Sequence, residues 1–276
     1  MRYAICNETF AGWDWEPTCH QVTALGYDGI EVAPFTLAED VRALDAASRR
    51  ELAATARAAG LEVIGLHWLL VSPKGLSLTS RDSSIREETA RYLAALADFC
   101  ADLGGRLLVL GSPAQRRIPD GDTPDIALDR LAACLEPALE RASLQGLTLC
   151  LEPLPPPEAD LLLTLQEAVA AVRRIGHSAL RTIFDVKSAS SEGGPLPGLI
   201  REFAPYLAHV HANDANRRGP GFGDTDFVPI LAALQETGYA GAVSIEVFDT
   251  TPDPITIARE SLQYLRCCET SPIPVS

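Results

Sequence analysis

LTLCLE at residues 147–152 is a short apolar run that ends on a metal-capable side chain, and three later stretches repeat that arrangement. RTIFD (181–185) ends on Asp185, LAHVH (207–211) on His211 and AVSIE (242–246) on Glu246. Each run is short and rich in β-branched or bulky apolar residues, which suits a buried strand. The spacings are 185 − 152 = 33, 211 − 185 = 26 and 246 − 211 = 35 residues, each about one strand–helix unit. Working outward, the N-terminal half carries four more strand candidates: RYAIC (2–6), GIEV (29–32), EVIGLH (62–67) and RLLVLG (106–111). Long Ala- and Leu-rich runs separate them, among them Ser83 to Leu103, Pro124 to Leu144 and Thr164 to Ile175. Gly26, Gly60, Gly104, Gly146, Gly176 and Gly238 each stand where a helix should stop before the next strand.

Alternating strands and helices point to a parallel α/β sheet, and a count of eight favours closure into a (β/α)8 TIM barrel. An open doubly wound sheet is the alternative, and its mark is a Gly-rich phosphate turn after the first strand. Here that strand runs into Asn7, Glu8, Thr9, Phe10, Ala11 and Gly12, with no such turn. No linker or low-complexity tract divides the chain, so one domain is expected over residues 1–276. Pro153 to Pro157 is too short for a linker and reads as a stiff loop.

The 276 residues suffice for such a barrel, and a hydrophobic fraction of 47% suffices for its core. A net charge of −14 argues against nucleic acid, whose recognition draws on Lys and Arg. No apolar stretch approaches a membrane span, and the N-terminus lacks a signal peptide's apolar core. Seven scattered cysteines, without a CxxC pair, read as reduced residues of a cytoplasmic protein.

In a TIM barrel the reacting groups collect at the C-terminal ends of the strands. Four consecutive strands would therefore aim Glu152, Asp185, His211 and Glu246 at one point. Three converging carboxylates repel unless a cation joins them. Taken singly, a carboxylate at a strand end is more often a helix N-cap or a loop anchor, and a lone His is more often a hydrogen-bonded core residue. Taken together, they predict one divalent ion. Oxygen donors with one imidazole favour Mn2+, with Mg2+, Co2+, Fe2+ or Zn2+ as alternatives. Near the same rim, His67 is a candidate for touching substrate or for supporting a ligand. Glu31 needs a buried partner. Trp13 and Trp15 either wall a pocket or pack a loop, and Arg217, beside Arg218 on a Gly-rich loop, is placed to clamp an oxygen-rich group.

These stretches resemble the xylose-isomerase-like TIM-barrel superfamily of sugar isomerases and epimerases. The resemblance rests on LEPL (151–154), FD (184–185), HVHANDANRRGPGFGDTDF (209–227) and SIEVFD (244–249), and with the strand rhythm it covers nearly the whole chain. It implies that Glu152, Asp185, His211 and Glu246 bind the metal, that Glu152 and Glu246 double as the acid/base pair, and that Arg217 and Glu158 meet substrate. Epimerase-like members carry a His three residues after the strand-six Asp, where this chain has Ser188. The DNA-repair endonucleases of the same fold need further histidines where this chain has Gly111 and Ser188, which argues against nuclease activity.

The expected chemistry is proton transfer beside the carbonyl of a small keto-sugar or hydroxy-keto acid, through an enediolate. Dehydration of a keto-polyol on the same metal site is one alternative, and a non-catalytic sugar-binding barrel is another. Glu152 and Glu246, three strands apart, are expected to stand across part of the mouth. The partner is a small molecule. Whether the chain forms a homo-oligomer is left open.

Overall fold

The computed structural model describes residues 1–271, so residues 272–276 of the expected domain lie outside the described part. Eight parallel strands close in sequence order into a barrel: β1 (Arg2–Cys6), β2 (Gly29–Val32), β3 (Glu62–Leu66), β4 (Leu107–Leu110), β5 (Thr148–Leu151), β6 (Leu180–Asp185), β7 (Leu207–Ala212) and β8 (Ala242–Ile245). Closure is made where β1 meets β8, with Arg2 opposite Ala242 and Ile5 opposite Ile245. This is a single-domain (β/α)8 TIM barrel, as the strand count predicts.

The outer ring holds α1 (Trp15–Leu25), α2 (Ala46–Ala58), α3 (Ser83–Leu103), α4 (Pro124–Gln145), α5 (Leu165–Ile175), α6 (Val186–Ser190), α7 (Leu196–Phe203), α8 (Phe227–Glu236) and α9 (Pro254–Thr270). Sequence dictates where they begin. The side chains of Asp45, Asp82, Thr123, Thr164, Asp226 and Asp253 each accept a bond from a backbone N–H of the first turn. Sequence also dictates where they end. Gly104 closes α3 at φ 85°, a left-handed conformation that a Cβ would oppose. Gly26, Gly146 and Gly176 do the same for α1, α4 and α5. Gly60 and Gly238 sit one residue further on, behind caps made by Ala59 and Thr237.

The expected strand limits need one adjustment. His67, Glu152 and Glu246 lie one residue past the ends of β3, β5 and β8. Their amides still donate to the neighbouring strand, to the carbonyls of Val32, Leu110 and Ala212 respectively. The ladder thus carries each side chain to the rim before the backbone turns away. Six of the seven cysteines are buried and none is disulfide-bonded, consistent with core packing. Among the described residues no helix is long and apolar enough to cross a membrane.

Candidate metal centre

One nitrogen of His211 defines the centre. Its Nε2 lies 3.1 Å from Glu31 Oε1, and Glu31 Oε2 lies 2.8 Å from His209 Nε2, all with no exposed surface. A carboxylate on Nε2 favours a proton there, so Nδ1 is the nitrogen able to offer its lone pair to a cation. Nδ1 has no hydrogen-bond partner. It faces Glu246 Oε2 at 3.4 Å, Glu152 Oε1 at 3.7 Å and Asp185 Oδ2 at 4.0 Å. One donor atom from each of these four residues lies within 4.8 Å of the other three. Glu152 and Glu246 therefore converge on one point, whereas their strand positions alone suggested that they stand across the mouth.

The remaining oxygens are held individually. Asp185 caps α6 by accepting from the Ser188 amide at 2.6 Å through Oδ1, while its Oδ2 faces the centre. The cap reading of this residue is thus seen in Oδ1, which leaves Oδ2 directed at the centre. Asn213 Nδ2 donates to Asp185 Oδ2 at 2.6 Å and to Glu246 Oε2 at 3.1 Å. Trp68 Nε1 donates to Glu246 Oε1 at 3.1 Å. The buried Arg116 guanidinium holds the Glu152 carbonyl oxygen at 2.6 Å. A Cβ on Gly111 would stand 2.1 Å from Glu152 Oε2, so a side chain there would push the carboxylate from its place.

Electrostatics says the same. Burial, reinforced by Glu246 and Asp185, pushes the Glu152 carboxyl up. Burial opposes a charge on His211, but the carboxylates of Glu31 and Glu246 outweigh it and hold its pKa well above an ordinary imidazole's. Burial also opposes the charge on Glu31, yet His209 and His211 keep it well below the usual carboxylate range. Protons are thus drawn to a cluster of excess negative charge. A divalent cation relieves the same excess, and the bare Nδ1 with three facing oxygens fits one.

Above the centre lies a cavity of about 380 Å³, which suits a small metabolite. Glu152, Glu246, Glu158, Arg217, Trp68 and Phe248 help to line it. The Trp68 and Phe248 rings stand 6.2 Å apart. Of the sequence candidates, Glu158 reaches this cavity already paired, with Lys187 Nζ at 2.7 and 3.0 Å. Arg217 is exposed at the rim, its guanidinium 5.2 Å from the Phe248 ring centre, while Arg218 turns away onto Phe222 and the Thr251 carbonyl. His67 is fully buried, with Nε2 2.7 Å from Glu8 Oε2. Trp13 packs on Phe10, and Trp15 donates to the Leu52 carbonyl, so neither lines the cavity. The sequence reading missed Glu8, Asn213, Arg116, the Lys187–Glu158 pair and the hold of Trp68 on Glu246. A larger groove of about 670 Å³ between α3 and α4 has no histidine or cysteine in its lining.

Barrel and centre together define a (β/α)8 protein with a metal-capable cluster on the C-terminal rim of its last four strands. The chain belongs to the xylose isomerase-like TIM barrel family, whose model matches residues 19–268. Over 241 residues it is 27% identical to a D-psicose 3-epimerase from Ruminiclostridium cellulolyticum, covering 85% of this chain and 78% of that protein. It is 25% identical to a 3-dehydro-D-guloside 4-epimerase of Escherichia coli strain K12, covering 97% and 100%. The crystal structure of D-psicose 3-epimerase with D-tagatose from Clostridium cellulolyticum H10 superposes with a TM-score of 0.85 at 22% identity, covering 98% of this chain and all of that one. That likeness concerns the fold.

Proposed function

We propose that this chain is a divalent-metal-dependent sugar epimerase or isomerase that moves a proton beside the carbonyl of a small keto-sugar or hydroxy-keto acid. The observation that carries the reading is the convergence of Glu152 and Glu246 with a bare imidazole nitrogen at the floor of a sugar-sized cavity. The relatives named above are sugar epimerases, which supports the same class. Glu152, Asp185, His211 and Glu246 would hold the ion, and three carboxylates with one imidazole favour Mn2+. A bound divalent ion supplies Lewis-acid polarisation of a carbonyl.

The protein's own groups do the rest. Glu152 and Glu246 are the two carboxylates able to take a proton from carbon and return one. Burial raises the proton affinity of Glu152, which suits it to that exchange. Trp68 and Asn213 fix the rotation of Glu246, so its oxygens meet substrate without rearrangement. Arg217 and the Lys187-paired Glu158 are the groups placed to meet substrate oxygens, and the aromatic walls exclude water. His67 lies beneath the surface and fits a supporting role through Glu8 better than direct contact. The seven free thiols accord with a reducing, cytoplasmic setting.

Exchange in deuterated water tests the reading. The metal-loaded protein, incubated with a panel of ketoses and keto acids, should wash deuterium into carbon for at least one member. Absence of exchange across the panel, with the substrates shown to bind, favours a sugar-binding barrel instead.

A further inference from the structure

TIM-barrel interiors are usually filled with layers of branched apolar side chains. Beneath the metal centre this barrel instead buries Cys6, Glu31, His67, His209 and Ser244, none with exposed surface. The centre accounts for Glu31 and His209, which orient His211. It assigns nothing to Cys6 or to the inner nitrogen of His67.

His67 repeats the arrangement of His211. Each ring has a carboxylate on Nε2: Glu8 at 2.7 Å for His67, Glu31 at 3.1 Å for His211. Each leaves Nδ1 buried and without a hydrogen-bond partner. For His67 that nitrogen points at Glu31 Oε1, 3.8 Å away. Cys6 Sγ lies 3.9 Å from Glu31 Oε2, and donor atoms of Cys6, Glu31 and His67 fall within 4.8 Å of one another. Sheet register builds this group: Cys6 is opposite Glu31, Glu31 is opposite Gly65, and His67 follows two residues on, facing the same way. Ser244 Oγ approaches Cys6 Sγ to 3.7 Å from the closing strand.

We infer that Cys6, Glu31 and His67 form a second, interior site for a thiophilic divalent ion, zinc above all. Zinc takes sulfur at about 2.3 Å and nitrogen or oxygen at about 2.0–2.2 Å, which puts tetrahedral ligands roughly 3.3–3.7 Å from each other. His67 Nδ1 and Cys6 Sγ approach different oxygens of Glu31, at 3.8 and 3.9 Å, and the three donors lie within 4.8 Å of one another, so they must draw together by up to about an ångström around an ion. Charge also balances. A thiolate, a carboxylate, a neutral imidazole and a doubly charged cation sum to zero, so no net charge stays in the core. Metal entry releases the thiol proton to solvent. The two centres then differ in kind: a thiolate site that ties β1, β2 and β3 together, and an oxygen-rich site on β5 to β8 that faces the cavity.

Cobalt(II) distinguishes them, because only the inner site has a sulfur ligand and thiolate-to-cobalt charge transfer absorbs in the near ultraviolet. The full-length protein loaded with cobalt should bind about two equivalents and show this band. Cys6→Ser should abolish the band and retain about one equivalent. Asp185→Asn, which damages the outer site, should retain the band. If Cys6→Ser fails to fold, His67→Gln serves in its place, with the same expected loss. Wild-type protein that binds cobalt without the band, or a band that survives Cys6→Ser, overturns the inference. Failure of the outer site alone would appear as a single equivalent with the band intact, leaving the inner site standing.

Discussion

The two halves of the barrel rim bury polar groups to different ends. On β5 to β8, Glu152, Asp185, His211 and Glu246 converge around a nitrogen without a hydrogen bond and open onto a cavity. On β2 and just past β3, Glu31 and His67 are fully buried and turn to partners inside the protein: Glu31 to His209 and His211, His67 to Glu8. The same residue types in the same fold are thus buried among partners in one half and brought together beneath a cavity in the other. What separates them is whether a donor atom is left unsatisfied beside open space.

If that division is correct, the largest loss follows substitution in the C-terminal half. Glu246→Gln and Glu152→Gln preserve size and one oxygen donor but cannot accept the proton. Each should lower turnover by about 10²–10⁴-fold at matched metal occupancy. The double variant should cost much less than the product of the two, because the pair acts as one unit. Steady-state turnover of metal-loaded variants checks this. Near-wild-type turnover in either single variant would make that residue a ligand only.

A smaller effect is expected one bond further back. Glu31 touches the centre only through His211, so Glu31→Gln should weaken binding of the outer metal by about 10–100-fold, the usual cost of losing a carboxylate behind a ligating histidine. Titration of Mn2+ into metal-free protein measures it, since manganese prefers the oxygen-rich outer site. Unchanged affinity would show that Glu31 belongs to the N-terminal half alone.

How much of this was readable beforehand depends on distance along the chain. The barrel was legible because each strand is a local apolar run, most helix starts carry a capping Asp or Thr, and six of the helix stops carry a glycine at or just past the cap. The four residues of the cluster were legible because each lies at, or one residue from, the end of its own strand. The supporting contacts were not. Trp68 meets Glu246 and Glu31 meets His211 only when the barrel closes, across 178 and 180 residues respectively. Lys187 passed unassigned because nothing local says that its ammonium will find Glu158, 29 residues earlier on the loop after β5. Glu158, named through the family resemblance, does line the cavity.

That same pair bears on substrate choice. Ser188 takes the place of a histidine and its hydroxyl is buried without a partner, while Lys187 occupies Glu158. Free ketohexoses should therefore be poor substrates, with slow 3-epimerisation of fructose, psicose or tagatose in a coupled or chromatographic assay. Rapid turnover would mean that Glu158 leaves Lys187 when substrate binds. The smallest effect is expected outside the rim. Thr164→Ala removes the cap of α5, where the Thr164 hydroxyl accepts from the Glu167 amide at 3.2 Å. It should cost about 0.5–2 kcal/mol of stability in denaturant unfolding and leave metal affinity unchanged.

The most direct measurement is calorimetric titration of Mn2+ into metal-free protein, comparing wild type with His211→Ala and His67→Ala. The account predicts about one manganese per chain in wild type, strong weakening in His211→Ala, and retained binding in His67→Ala, whose Nε2 is engaged by Glu8 although the ring comes within 4.8 Å of a Glu246 oxygen. Manganese binding that survives His211→Ala undiminished, or that disappears in a folded His67→Ala, would contradict the assignment of the centre to β5 through β8.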